Sequence, residues 1–192
     1  MKARWLVALV PLALLLSGCG YNRIQELDES AAAQKSQIEV TLQRRADLIP
    51  NLVQTVQRFA QQEEAVFTNV AQARAGLLQA VQGGNPGQMA NANEALGGAL
   101  GRLLVVAEAY PELKSDQTFL RLQDELAGTE NRIAVARRDY NDAVRNYNTL
   151  IRRFPTAVTA KVIGASEREY FEVTSAESRD VPAVEFEAPG KS

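Results

Sequence analysis

The stretch SDQTFLRLQDELAGTENRIAVARRDYNDAVRNYNTLIRRFP, residues 115–155, decides the fold. Stepping along it by threes and fours picks out Phe119, Leu122, Leu126, Ile133, Ala136, Tyr140, Val144, Tyr147, Ile151 and Phe154. Apolar residues at that spacing fall on one face of an α-helix, which must be covered by another element. Ser115 or Asp116 can cap the start and Pro155 stops the end. The stretch is therefore one long amphipathic helix.

Working outward, the chain repeats this design. Residues 86–110 carry Met89, Leu96, Leu100, Leu103, Leu104 and Val106 on one face, with Asn85 as N-cap and Pro86 in the first turn. Gly97, Gly98 and Gly101 weaken this helix by up to about 1 kcal/mol each relative to alanine, which suggests close backbone packing. Residues 21–81 form a longer stripe through Ile38, Leu42, Ile49, Leu52, Val56, Phe59, Val66, Val70 and Leu77, and Gly83-Gly84-Asn85-Pro86-Gly87 ends it. Pro50 lacks an N–H and crowds the preceding turn, yet the stripe stays in phase across it. That favours a kink; the alternative is that Asp47 caps a new helix with Pro50 in its first turn. A shorter helical piece covers residues 156–163 before Gly164. Beyond it, Tyr170-Phe171-Glu172 and residues 181–186 look irregular or extended, and the last residues are expected to be mobile. The expected fold is all-α: an elongated antiparallel bundle over residues 23–164, followed by an irregular tail, 165–192.

Polar residues that interrupt these stripes are the candidate site. Arg45 and Glu63 stand where the stepping places apolar residues, about 27 Å apart along a straight helix. Either each takes a partner on another helix, or both snorkel from the stripe edge. Glu130, Arg137, Asn141 and Asn148 fall on one line beside the stripe of the long helix, either as a polar seam or as a solvated row. A seam predicts that Arg137→Leu destabilises the domain far more than a substitution at exposed Arg121.

The N-terminus carries a different kind of signal. Lys2 and Arg4 precede an apolar run over residues 5–16, and Leu16-Ser17-Gly18-Cys19 follows. A basic start, a short apolar core and small residues before a cut are the features of an export signal, here with a thiol where the mature chain begins. Residues 1–18 are thus expected to be a lipoprotein signal peptide and 19–22 a lipidated tether, with Cys19 carrying the lipid. The run is short of the roughly 20 residues a membrane span needs. Each buried methylene of an acyl chain contributes ~0.8 kcal/mol, so several chains anchor effectively permanently. The body then lies in the cell envelope, facing the periplasm or exterior. Gly20, which is not acidic, favours the outer over the inner membrane.

Without Lys2 and Arg4 the chain has 19 basic and 23 acidic residues, a formal charge of −4. That balance does not favour nucleic acid, whose phosphates demand basic patches. With no histidine and the one cysteine acylated, the usual general-base and nucleophile pairs and a Cys/His metal cluster are missing, so neither a metal nor a cofactor is expected.

The strings Arg44-Arg45-Ala46-Asp47-Leu48-Ile49-Pro50-Asn51-Leu52-Val53, Ala73-Arg74-Ala75, Tyr110-Pro111-Glu112-Leu113-Lys114, Glu130 through Asn141, Tyr147-Asn148 and Phe154-Pro155 resemble the LemA family of bacterial membrane-anchored proteins, in order and over nearly the whole mature chain. The resemblance implies an antiparallel four-helix bundle tethered by its N-terminus, with no established reaction. Many similar members begin with a membrane helix, so the lipid signal is a departure. Two non-enzymatic roles follow. One is a scaffold or interaction module for an envelope protein, using polar residues such as Arg45, Asp47, Asn51, Glu130, Arg137 and Asn141. The other is membrane remodelling, which the acidic residues Glu26, Asp28 and Glu29 after the anchor disfavour. A passive spacer is the third possibility.

Overall fold

The computed structural model describes the backbone of residues 2–173 and the side chains of residues 20–173. Among these residues there are six helices and no strand: α1 (Lys2–Gln57), α2 (Glu64–Gly83), α3 (Pro86–Glu108), α4 (Pro111–Lys114), α5 (Gln117–Arg152) and α6 (Thr156–Val162). The four long ones, α1, α2, α3 and α5, make the all-α bundle.

The apolar stripes are the core. Leu42, Ile49, Leu52 and Val56 of α1, Val70 and Leu77 of α2, Met89, Leu96 and Leu103 of α3, and Ile133, Tyr140 and Val144 of α5 are all buried together. Each such side chain withdrawn from water contributes ~1.5–3 kcal/mol. Helix α5 runs antiparallel to α1, with Ile24 against Tyr147 and Ile151 at one end and Arg45 opposite Glu130 further along. Phe154 departs from its stripe: it lies beyond the last turn of α5 and is 86% exposed.

One boundary differs from the sequence expectation. The stripe over residues 21–81 is not a single helix, because the chain reverses at residues 58–63 between α1 and α2. No glycine or proline punctuates this reversal. Tight turns form instead, with the N–H groups of Phe59 and Ala60 both bonded to the carbonyl of Val56, and Ala60 fully buried at the corner. A straight helix through residue 81 would have left Phe67, Val70 and Leu77 without cover; reversal lays them on α3 and the core.

Pro50 neither breaks α1 nor starts a new helix; α1 continues through it to Gln57. Asp47 is exposed and accepts a hydrogen bond from Gln43 Nε2 at 2.9 Å instead of capping. A proline inside a helix strips the carbonyl four residues back of its donor. That carbonyl belongs to buried Ala46, and Arg74 Nε of α2 donates to it at 2.8 Å. The arginine in Ala73-Arg74-Ala75 thereby replaces the missing N–H.

The expected punctuation is present elsewhere. Gly84 ends α2 at φ +67°, a left-handed conformation that glycine adopts without steric cost, and its carbonyl accepts from Lys35 Nζ at 2.8 Å. Asn85 Oδ1 caps α3 by accepting from Gln88 N–H, and Asp116, the second of the two cap candidates, accepts from Phe119 N–H at the start of α5.

After Gly164 the chain is irregular, as expected for residues 165–173, but it is held as a strap along α5. Asn148 Oδ1 accepts the Arg168 N–H and its Nδ2 donates to the Arg168 carbonyl, both at 2.9 Å. Asn141 grips the backbone of Phe171 in the same way, at 2.9 and 3.3 Å. Between them the Tyr140 hydroxyl donates to the Glu169 carbonyl at 2.7 Å, and Phe171 is buried in the core. Asn141 and Asn148 are seven residues apart, about 10 Å of helix, which three residues of extended chain also span. The remainder of the tail, including residues 181–186, lies outside the described residues.

Candidate functional site: a groove over a buried arginine

Helices α3 and α5 both lean on α1 without closing on each other, and between them Arg45 forms part of the floor. Arg45 is only 7% exposed. Its Nη1 donates to Glu130 Oε2 of α5 and to Asn93 Oδ1 of α3, each at 2.5 Å, so it ties three helices together. Its Nε is buried with no hydrogen-bond partner among the described residues. Burial pushes the guanidinium pKa down from its ordinary value while Glu130 pulls it back; an arginine stays charged regardless.

Two cavities adjoin at this arginine, of about 510 and 380 Å³, sharing Arg45, Gly97 and Glu130. The larger has mixed walls, with Asn93, Glu94 and Arg137 beside Ile133 of α5 and Phe171 of the strap. The smaller is apolar, lined by Leu52, Leu100, Leu104 and Leu126. The glycines of α3 face this groove instead of a neighbouring backbone, contrary to the close packing expected of them. A Cβ added at Gly98 or Gly101 meets nothing within 4 Å, and one at Gly97 meets only Arg45 Nη2 at 3.9 Å.

The other candidate residues separate by position. Glu130, Asn141 and Asn148 do form contacts between elements: the first with Arg45, the others with the strap. Arg137, between them, is exposed on the groove rim and makes no ion pair among the described residues, which fits the solvated row and not the seam of the two alternatives for this line. Glu63 belongs to the reversal before α2, half-buried, with no side-chain cap hydrogen bond and no ion pair among the described residues. Asp47 and Asn51 face solvent on α1. Leu16, Ser17, Gly18 and Cys19 lie on α1, which is helical through residues 19–22, and their side chains are outside the described residues.

Three groups escaped the sequence reading. Asn93 and Arg74 sit among small and polar residues with no periodic signal. Arg168 comes from the irregular segment, yet its Nε bonds Asp28 Oδ1 of α1 at 2.7 Å and its guanidinium lies 5.8 Å from the Tyr147 ring centroid. The Arg168 hydrogen bond holds the Asp28 carboxyl below its usual pKa, against the opposing effect of burial. Burial pushes the Tyr140 and Tyr147 hydroxyls up.

Glu130→Ala leaves the buried guanidinium with Asn93 alone and is expected to cost about 1–3 kcal/mol, whereas Arg45→Met, which removes the charge and keeps the volume, is close to neutral. On the same scale Arg137→Leu is expected to match Arg121→Leu, both within about 0.5 kcal/mol of wild type, as urea unfolding midpoints will show. For Asp28, a lowered folded pKa means its contribution is present above the unfolded value of about 4 and is lost as pH falls through the folded one. The stability difference between wild type and Asp28→Asn is therefore expected to be flat from pH 7 to 5 and to shrink by pH 3.

Among the described residues no helix is long and apolar enough to cross a membrane, and no group of three or more His, Cys, Asp or Glu could hold a metal ion. The model of the LemA family matches residues 34–186, which include α1 from its middle, the groove and the strap. Among curated proteins, the chain is 31% identical over 175 residues to magnetosome proteins MamQ 1 and MamQ 2 of Paramagnetospirillum magneticum (strain AMB-1). It is 29% identical over 174 residues to magnetosome protein MamQ of Magnetospirillum gryphiswaldense (strain MSR-1). Each alignment covers 79% of this chain, which spans 64% of the length of these relatives. With a family match running from α1 through the strap, the chain belongs to the LemA family.

Proposed function

We propose that this protein is a membrane-associated, non-enzymatic component of the cell envelope, anchored by lipid on Cys19, whose α3–α5 groove receives a segment of an envelope protein partner. The observation that carries the reading is Arg45, buried where the two cavities meet, whose Nε has no hydrogen-bond partner among the described residues. A buried unsatisfied donor costs about 1–3 kcal/mol, which an acceptor on an incoming segment recovers once the guanidinium turns its Nε into the groove. The apolar half of the groove suits that segment's apolar side chains.

The glycines separate binding from stability. Because open space lies above Gly98, Gly98→Ala is expected to stabilise the bundle by about 0.5–1 kcal/mol. In intact cells, a photo-crosslinking residue at Gly98 is expected to capture one defined envelope protein, with capture lost when Gly101→Leu fills the groove. The same residue at Arg121 should not capture it. Recovery of the same bulk proteins from both positions contradicts the groove reading.

A second reading, membrane organisation, is favoured by the likeness to proteins named for the magnetosome. Liposomes that keep their shape when decorated with the lipidated protein would count against it.

A further inference from the structure

The end of the bundle next to residue 19 carries an apolar stripe that no described part of the chain covers. Helix α6 folds back beside α1 there: a Cβ at Gly20 would lie 3.5 Å from Thr159 Oγ1 and 3.8 Å from Thr156 Cγ2. The inner face of α6 contributes Ala160 to a small core with Ile24, Tyr147 and Ile151. Its outer face holds Val158 and Val162, in step with Phe154 at intervals of four, and all three are exposed, Phe154 at 86% and Val162 at 81%. Ile163 extends the patch. Single exposed apolar residues are ordinary; several gathered on one outward face mark a contact surface.

The surroundings identify the contact. Residues 152–163 hold Arg152, Arg153 and Lys161 and no acidic residue, in a chain that is acidic as a whole. All three are exposed; Arg152 meets Glu167 at 3.4 Å, and Arg153 and Lys161 flank the stripe with no ion pair among the described residues. Of the three acids that open α1 after the anchor, Glu26 pairs with Arg23 and Asp28 with Arg168, which leaves only Glu29 exposed with no ion pair among the described residues. A short helix with an apolar outer face between cations, at the end where the chain meets its anchor, has the makeup of an element that lies in a bilayer interface. Such a helix places its apolar side chains at the headgroup boundary and its cations against anionic lipid.

We propose that α6 and the turn at Phe154 form a membrane-contacting foot, with Phe154, Val158 and Val162 in the interfacial layer of an anionic phospholipid bilayer and Arg153 and Lys161 at its phosphates. The foot sets the bundle on the membrane in a fixed orientation, which a lipid anchor by itself cannot do. This inference rests on the anchored reading given above.

The test uses the full-length lipidated protein on vesicles of phosphatidylcholine and phosphatidylglycerol. The only tryptophan, Trp5, precedes Cys19, so Val158→Trp provides a single reporter in the processed chain. Its emission is expected to shift to the blue and to be quenched by lipids brominated near the glycerol, less so when phosphatidylglycerol is omitted. Leu120→Trp, at the opposite end of α5 and about 48 Å from Arg152, should remain unquenched. Protein that floats with the vesicles while the residue 158 tryptophan stays unquenched overturns the foot and leaves the anchor standing. Protein that does not float fails at the anchor instead. A blue shift that depends on protein concentration before vesicles are added identifies a second copy as the occupant and also overturns the foot.

Discussion

Phe171→Ala is expected to lower the unfolding free energy by about 3 kcal/mol, the usual cost of deleting a buried phenyl ring, although the residue lies outside every helix. The ring is 2% exposed and part of the main core, and the backbone on both sides of it is fixed by α5. Asn141 bonds its N–H and carbonyl, Tyr140 takes the Glu169 carbonyl, and Asn148 takes both backbone groups of Arg168. Removing the ring leaves a hole that the strap cannot fill without breaking those bonds. Asn148→Leu attacks the same device from the other side. Leucine has similar bulk but leaves the Arg168 N–H and carbonyl unpaired, at about 1–3 kcal/mol. Since both substitutions detach one strap, their combined cost should fall short of the sum. Equal urea midpoints for wild type and Phe171→Ala would show that residues 165–173 are not part of the folded unit.

The second large effect is expected at Pro50 and Arg74. Arg74→Met leaves the Ala46 carbonyl buried without a donor and should destabilise the bundle by about 1–3 kcal/mol. Pro50→Ala gives that carbonyl back its intrahelical N–H, because residue 50 lies four positions after Ala46 in unbroken helix. A proline inside a helix costs about 3 kcal/mol relative to alanine, partly offset by the freedom it removes from the unfolded chain. Pro50→Ala is therefore expected to stabilise by about 1–2 kcal/mol. In that background Arg74→Met should cost little. The double-mutant cycle reports the coupling directly; independent, additive effects would mean that Arg74 does not serve the proline.

Much of this architecture was legible in the residues. The stripes of α3 and α5 became the core almost position for position, because covering an apolar face is the dominant favourable term in folding and its period is fixed by helix geometry. The caps at Asn85 and Asp116 were legible for the same local reason: an acceptor side chain three residues ahead of a free N–H. The reversal at residues 58–63 was not, since nothing local ends a helix there and the turn is imposed by the demand for cover on α2. The groove glycines were misjudged because a glycine serves equally to let a backbone approach or to leave a space, and only the neighbours decide. The register of the polar line on α5 left a seam and a solvated row open, and the structure divides them: Glu130, Asn141 and Asn148 contact other elements, while Arg137 on the same line faces out. Register fixes a residue's face to within a turn, which is too coarse to place a long side chain inside or outside a rim.

The anchor decides how the groove and the foot are to be understood, and mass spectrometry of the protein purified from its native membranes in detergent measures it. The expected N-terminal peptide begins at Cys19 and carries the mass of several acyl chains. A peptide that retains residues 1–18, or begins at Cys19 with a free thiol, contradicts the lipid-anchored envelope protein proposed here.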